Sequence, residues 1–561
     1  MCHPAHPFNL PMRRLFAICL IAALPVSANE ISYRSLQSGW LGFSTPVFDH
    51  GIHGEGQIIA VLDTGVDWTS CYFAEPDNSK PPFNTGSPAG GLAWQNIDPS
   101  RRKIIAYDFL YSCDQFPGAR DCDVPSTHPL YDYIQRDHGT HAAGAAAGDK
   151  GTPIVHDYGD AIAPGAKLVV QDAGLSPVDA CTARPGIGCP VNMTPALDQA
   201  YKQGARIHSN SWGDFRSTTA SYSQAARDID AFVYSHPDML VVFNTGNYLA
   251  ATPPPASSLS SPGCAKNTLQ IGGTRGSAVR DDSVVSGGLI GPARDGRIKP
   301  DLVGPAYVIA GDMDLDSNPA TCDVTPQPGT SWASPTIAGA AALVRQYYTD
   351  GFYPTGSATA SNAFTPSAAL LKATLIAAAR EVPRRNYGSG PDVNPQPVPS
   401  SEQGFGFPVL DDALYFPGDR MKLRVFDAAL ASGLAQGEST ARRIAVVAGT
   451  PLKAVLVWTD PAGVARAGTD STPNLVNDLD LRVITPSGEV HFGNEAIHAG
   501  QRDRINNVEE VKITAPVSGI YTFAVDATSI GSGPRQSYAL VITGDLATAA
   551  PEFSKHRAAR H

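Results

Sequence analysis

The stretch "IIAVLDTGVD", residues 58–67, decides how this chain of 561 residues is read. Ile58 to Leu62 run without a polar break. A strand with one face in water alternates apolar and polar side chains, so an unbroken run is the pattern of a strand buried on both faces, as in a parallel sheet covered by helices. The run stops at Asp63, and Thr64 and Gly65 follow as a turn. A carboxylate at the carboxyl end of such a strand stands where open α/β sheets build their sites. Two carboxylates sharing one proton would need a second Asp-Thr-Gly or Asp-Ser-Gly, because like charges about 3 Å apart cannot both ionise. None follows, so Asp63 needs other partners.

Further unbroken runs occur at Leu168 to Val170, Met239 to Phe243 and Leu269 to Ile271. Helical patterns separate them, such as "MTPALDQAYKQGA", with Pro195 in its first turn and Gly204 at its end. This alternation predicts an α/β domain over residues 29–418, a parallel sheet with helices on both faces. Near its end, residues 383–403 are rich in Pro, Gly and Ser and read as an exposed loop. From 419 to 546 the pattern changes. "KAVLVWTD", "LDLRVITPSGEV", "GIYTFAVDA" and "SYALVITGD" are strand-like runs between Gly, Pro, Ser and Asp, which predicts an all-β, jelly-roll-like sandwich. Residues 547–561 read as a loosely ordered tail.

With 42% hydrophobic and 17% charged residues the chain can bury a sizeable core, and its net charge of -11 argues against nucleic acid or an anionic membrane as partner. Arg13 and Arg14, the apolar run Leu15 to Leu24 and the small residues before Glu30 read as a signal peptide over residues 1–28, cleaved after Ala28. That run is too short to span a bilayer, which takes about 20 residues, and no later run reaches that length. The mature protein is therefore expected outside the cytoplasm, secreted or periplasmic, and off the membrane. Of nine cysteines, Cys2 and Cys19 fall in the leader, and export favours disulfides among the rest. Spacing pairs Cys113 with Cys122, Cys181 with Cys189 and, less directly, Cys264 with Cys322, which leaves Cys71 over.

"DHGTHAAG" supplies His138, and "GTSWASP" supplies Ser331 at the start of a helical pattern. Asp, His and Ser in this order can form a charge-oriented nucleophile. The histidine takes the serine proton, and the carboxylate holds the imidazole in the right tautomer and steadies its charge. A serine at a helix N-terminus also meets backbone N–H groups and the positive dipole end, half of a site for a developing oxyanion. Asn247, just beyond the Met239 to Phe243 run, can supply the other half with its side-chain amide. His141 lies one helical turn past His138 and reads as structural.

These motifs resemble the subtilisin-like serine proteases. "VLDTGVD", "HGTHAAG", "GTSWASP" and the "TGN" containing Asn247 match that family's signature blocks. The resemblance implies serine endopeptidase activity on polypeptides through an acyl-enzyme intermediate, with the first histidine of "HGTH", His138, as base. It also implies that Ser211, Trp212 and Gly213, and Asn244, Thr245 and Gly246, form the two edges of the pocket for the residue preceding the cut. A substrate would lie as an added strand along the first edge. The later runs resemble the β-sandwich of the oxidatively stable alkaline protease branch, a domain expected to support stability.

Two departures stand out. Ala28 to Asp63 leaves no room for the prodomain that many members carry, and Trp332 stands where the family commonly has Met. No cofactor is expected for the chemistry, and a monomer is expected. A structural Ca2+ is one reading of Asn477, Asp478 and Asp480, since hard cations take oxygen ligands, with a solvated edge as the other. A binding scaffold on a protease fold is disfavoured by the intact Asp63, His138, Ser331 and Asn247. An esterase of the α/β-hydrolase type is disfavoured because Ala333 stands where its elbow needs glycine and its Ser-Asp-His order is reversed.

Overall fold

A computed structural model describes residues 28–40, 44–87, 91–110, 138–151, 156–157, 159–175, 186–187, 192–213, 220–248, 253–276, 281–311, 322–386, 392–498, 500–547 and 552–557. The leader proper and the pairs Cys113 with Cys122 and Cys181 with Cys189 lie outside these residues. In chain order the elements that build the first domain are α1 (Ala28–Ser38), β1 (Ile58–Asp63), β2 (Phe83–Ser87), β3 (Ile104–Phe109), α2 (His138–Ala147), β4 (Lys167–Asp172), α3 (Met193–Lys202), β5 (Ile207–Asn210), α4 (Gln224–Ser235), β6 (Leu240–Asn244), β7 (Leu269–Gly276), β8 (Leu302–Pro305), β9 (Tyr307–Gly311), β10 (Val324–Pro328), α5 (Thr330–Thr349) and α6 (Ala368–Ala377).

The order β2-β3-β4-β1-β5-β6-β7-β8 is parallel throughout, with β1 between β4 and β5 at the centre. The unbroken run in β1 has the cause the sequence implied. Ile59 and Val61 pack on one face with α2 and α5, and Ala60 and Leu62 on the other with α3 and α4. Every side chain of the strand thus finds a core, each large one contributing about 1.5–3 kcal/mol. No helix among the described residues is long and apolar enough to cross a membrane.

The second domain begins at Lys422. Its strands are β11 (Lys422–Ala428), β12 (Glu438–Val446), β13 (Pro451–Val457), β14 (Asn477–Ile484), β15 (Val490–Phe492), β16 (Val508–Thr514), β17 (Gly519–Ile530), β18 (Tyr538–Gly544) and β19 (Glu552–Arg557). They form a four-stranded sheet, β11-β18-β13-β16, facing a five-stranded one, β15-β14-β17-β12-β19. The four-stranded sheet is buried on both sides. Ala454, Leu456, Leu540 and Ile542 face the sandwich interior, while Val455, Val457, Ala539 and Val541 join the core that also holds Leu370 and Leu371 of α6. This explains why "KAVLVW" is unbroken rather than alternating, and it fuses the two domains through a shared core.

Two features differ from the sequence reading. Within 547–561, Glu552–Arg557 pairs antiparallel with β12, because the free edge of the five-stranded sheet offers unpaired backbone groups to an extended segment. Cys322 bonds to Cys71, not Cys264, across 251 residues. Cys264 is instead a buried free thiol donating to Ser221 O at 3.0 Å. Sequence spacing favours near pairs, whereas the fold brings the segment after Asp63 beside β10, the strand that leads into Ser331. A loop of this length gives the chain-entropy effect of a disulfide its full size, up to about 5 kcal/mol.

Candidate active site

The site residues collect at the carboxyl edge of the parallel sheet. Asp63 is the last residue of β1, Asn210 of β5 and Asn244 of β6, and Ser331 is the second residue of α5. Asp63 is 2% exposed. Its Oδ1 accepts from Thr64 N at 2.8 Å and stands 2.7 Å from Nδ1 of His138, the first residue of α2.

The two motifs that carry this pair interlock through their small residues. Gly139 N donates to Thr64 Oγ1 at 3.0 Å, and Asp67 N donates to Thr140 Oγ1 at 2.9 Å. A Cβ on Gly139 would stand 2.0 Å from Gly65 O, a distance no side chain tolerates. Gly65 has φ of +107°, open to glycine and costly for other residues. Gly139 is therefore required by the backbone contact and Gly65 by its own backbone conformation.

Ser331 is 7% exposed. Its Oγ donates to Ser211 O at 3.2 Å, and Ser211 Oγ donates back to Ser331 O at 2.7 Å. This reciprocal pair ties the serine helix to the end of β5, and it directs the hydroxyl proton at a carbonyl oxygen. Thr330 N and Thr330 Oγ1 both donate to Asn247 Oδ1 at 2.8 Å, and Trp332 N donates to Gly329 O at 3.1 Å. The Ser331 N–H, at the second position of α5, has by its place no carbonyl four residues back within the helix to donate to. The Asn247 oxygen being so held, its amide nitrogen is the end left to donate. The Trp332 ring lies 4.8 Å from that of His138 and 4.3 Å from that of His141, which is fully buried.

The two segments expected as pocket edges meet through a residue that sequence reasoning missed. Ser260 N donates to Thr245 O at 2.9 Å, and a Cβ on Gly213 would stand 2.7 Å from Ser260 Cβ. Ser260 thus bridges Gly213 on one edge to Thr245 on the other. Asn244 Nδ2 donates to Ser211 O at 3.4 Å, and the Trp212 ring packs edge-on to Phe243 at 5.3 Å. Ser211, Asn244 and Thr245 are buried and Gly246 lacks a side chain, so these residues present little side-chain chemistry at the surface.

Tyr107 and Asp172 also escaped the sequence reading. Tyr107 OH accepts from Val66 N at 3.0 Å and donates to Asp172 Oδ2 at 3.1 Å, bracing the turn after Asp63. The available signal was "VVQD", a second buried run ending in aspartate, and Asp172 is in register with Asp63. His208 is no rival base. Burial lowers its pKa to about 3, and its Nε2–H donates to Gln171 Oε1 at 2.8 Å.

The reading of Asn477, Asp478 and Asp480 as Ca2+ ligands does not fit their surroundings. The Asn477 amide donates to Ser532 O and Gln536 Oε1, and Arg504 Nη1 stands 2.7 Å from Asp478 and 2.9 Å from Asp480. A guanidinium already neutralises the carboxylates. Among the described residues no group of three or more His, Cys, Asp or Glu could hold a metal ion.

A family model described as "Subtilase family" matches residues 54–406. Among curated proteins the chain is 25% identical to the serine protease/ABC transporter B family protein tagD of Dictyostelium discoideum, over 89% of this chain and 32% of that protein. It is 26% identical to tagA of the same organism and description, over 92% of this chain and 32% of that protein. The chain thus spans about a third of the length of these relatives. Among solved structures, the serine protease of Aeromonas sobria aligns with a TM-score of 0.41 at 15% identity, covering 93% of this chain and 94% of that one. Fervidolysin from Fervidobacterium pennivorans aligns with a TM-score of 0.42 at 16% identity, covering 95% of this chain and 65% of that one.

Proposed function

The chain belongs to the subtilase family, and on that premise we propose that it is an exported serine endopeptidase acting on polypeptides. The observation that carries the reading is the 2.7 Å contact between His138 Nδ1 and the buried Asp63, with the ring of Trp332, the residue after Ser331 in α5, 4.8 Å from the His138 ring. Asp63 fixes the tautomer with the proton on Nδ1, which puts the basic lone pair of His138 on Nε2.

In the proposed reaction a rotation of the Ser331 side chain turns its hydroxyl from Ser211 O to His138 Nε2. The Ser331 oxygen then bonds to the scissile carbonyl carbon while its proton passes to His138. The carbonyl π pair moves onto oxygen, where Asn247 Nδ2 and the Ser331 N–H face the developing charge. Collapse of this intermediate expels the amine, which takes the proton from His138 and leaves an acyl-enzyme. Water repeats the sequence to release the acid. The substrate backbone pairs with the edge at Ser211, Trp212 and Gly213, and Asn244, Thr245 and Gly246 form the opposite wall.

Export rests on the leader-like residues 1–28, and neither a cofactor nor an oligomer enters the reaction. The test is a fluorophosphonate probe on the purified protein, the adduct located by mass spectrometry. An adduct on Ser331, lost in Ser331→Ala along with casein hydrolysis, is the expected outcome. The fall in kcat should be on the order of 10⁶, as for a triad acting as a unit. Undiminished hydrolysis by Ser331→Ala would refute the assignment.

A further inference from the structure

We propose that the indole Nε1–H of Trp332 is a third hydrogen-bond donor to the oxyanion, beside Asn247 Nδ2 and the Ser331 N–H. The inference rests on the reading of Ser331 as nucleophile and deepens it. Trp332 is 3% exposed, and its Nε1 is a buried donor with no hydrogen-bond partner among the described residues. A buried N–H without an acceptor costs about 1–3 kcal/mol and is rare enough to need a cause.

Its position supplies one. A Cβ built on Gly329 would stand 3.6 Å from Trp332 Nε1, 3.4 Å from Asn247 Nδ2 and 3.6 Å from Asn247 Oδ1, so the indole nitrogen and the Asn247 amide both border the space beside Gly329. Gly329 is two residues ahead of Ser331. The two Thr330 bonds occupy Asn247 Oδ1, so the amide nitrogen is the end that can donate there. The contacts with His138 and His141 hold the ring, so the N–H is preorganised rather than free to swing. An indole nitrogen is donor only, whereas the thioether of a methionine has no proton to give. Trp332 in place of the family's common Met therefore adds a donor where negative charge develops.

The decisive variant is Trp332→Phe, which keeps an aromatic ring against His138 and His141 and removes the N–H. The readouts are kcat and KM on a peptide amide, and the affinity of a peptide trifluoromethyl ketone, whose adduct carries an oxyanion. The expected result is a loss of roughly 10²-fold in kcat, the size of one oxyanion donor. KM should stay nearly unchanged, and ketone affinity should fall by a matching factor. Combined with Asn247→Ala, the loss should be smaller than the product of the two single losses, since both donors serve one oxygen. Unchanged kcat and ketone affinity in Trp332→Phe, or a loss confined to KM, overturns the proposal. Should that variant fail to fold, Trp332→Met repeats the test with the same expectation. Wild type that takes no fluorophosphonate on Ser331 fails the nucleophile reading itself, whereas a labelled wild type with a fully active Trp332→Phe fails only the indole inference.

Discussion

Two histidine–aspartate pairs in this molecule look alike and sit in different surroundings. His138 stands 2.7 Å from Asp63, with side chains 25% and 2% exposed, and His498 stands 3.1 Å from Asp503, with 22% and 0%. The difference lies in what surrounds the carboxylates. Asp503 is saturated: Asn494 Nδ2 and Asn506 Nδ2 donate to Oδ2, and the backbone N–H groups of Ile505 and Asn506 donate to Oδ1. Asp63 Oδ1 takes Thr64 N and His138, while Oδ2 has no hydrogen-bond partner among the described residues. A saturated carboxylate anchors a loop. Asp63 divides Oδ1 between one backbone N–H and one imidazole, an arrangement that on the proposed reading steers a proton.

The sharpest way to break the comparison is to neutralise each carboxylate in turn. Asp63→Asn should preserve the fold and lower kcat by roughly 10⁴, because the amide favours the wrong imidazole tautomer. Asp503→Asn should leave kcat within a factor of about two and cost stability instead. Steady-state kinetics and thermal unfolding of both variants decide it. Equal losses of kcat would mean that the resemblance between the pairs is functional after all.

A third pair sets the opposite limit. Lys266 and Asp460 are both wholly buried at the seam between the domains. Lys266 Nζ bonds to Asp460, to Pro461 O at 2.5 Å and to Asn474 O at 2.9 Å, while Asp460 also accepts from Val476 N and Asn477 N. Nothing here is left for chemistry. Lys266→Met leaves a buried carboxylate without its cation, which should cost about 3–5 kcal/mol. Urea unfolding measures it, and Asp460→Asn in the same background should recover part of the loss. A change below about 1 kcal/mol would mean that the shared apolar core alone joins the domains.

The sequence disclosed what is local and periodic. Ile58 to Leu62 exposed the buried central strand because both faces must be apolar, and the Asp-Thr-Gly and His-Gly-Thr-His motifs were visible because close backbone approach demands Gly139 and a positive φ demands Gly65. Partners far apart in the chain stayed hidden. Lys266 and Asp460 are 194 residues apart, and Cys71 and Cys322 are 251 apart, so no spacing rule connects them. The acidic run Asn477 to Asp480 suggested oxygen ligands, but Arg504, which answers it, lies beyond two further turns of chain. Ser260, Tyr107 and Asp172 look like ordinary strand and turn residues until the fold places them against Gly213 and Val66.

The smallest expected effect sharpens the comparison on the side of the saturated pair. The Asp503 bond raises the pKa of His498, with burial opposing it. Burial works to raise the pKa of Asp503, but the His498, Asn494 and Ile505 donors outweigh it, and the net shift is downward. A histidine whose folded pKa is raised stabilises the fold fully below its unfolded value, about 6.5, and loses that contribution as pH rises through the folded value. The aspartate closes the window at the acid end, where falling pH protonates it. His498→Phe should therefore cost up to about 1 kcal/mol near pH 5.5, the size of a partly exposed ion pair, and almost nothing of this term near pH 9. Denaturant unfolding of both proteins at the two pH values checks it. A cost that does not change between them would mean that His498 serves by packing, and that charge matters at only one of the two histidine–aspartate pairs.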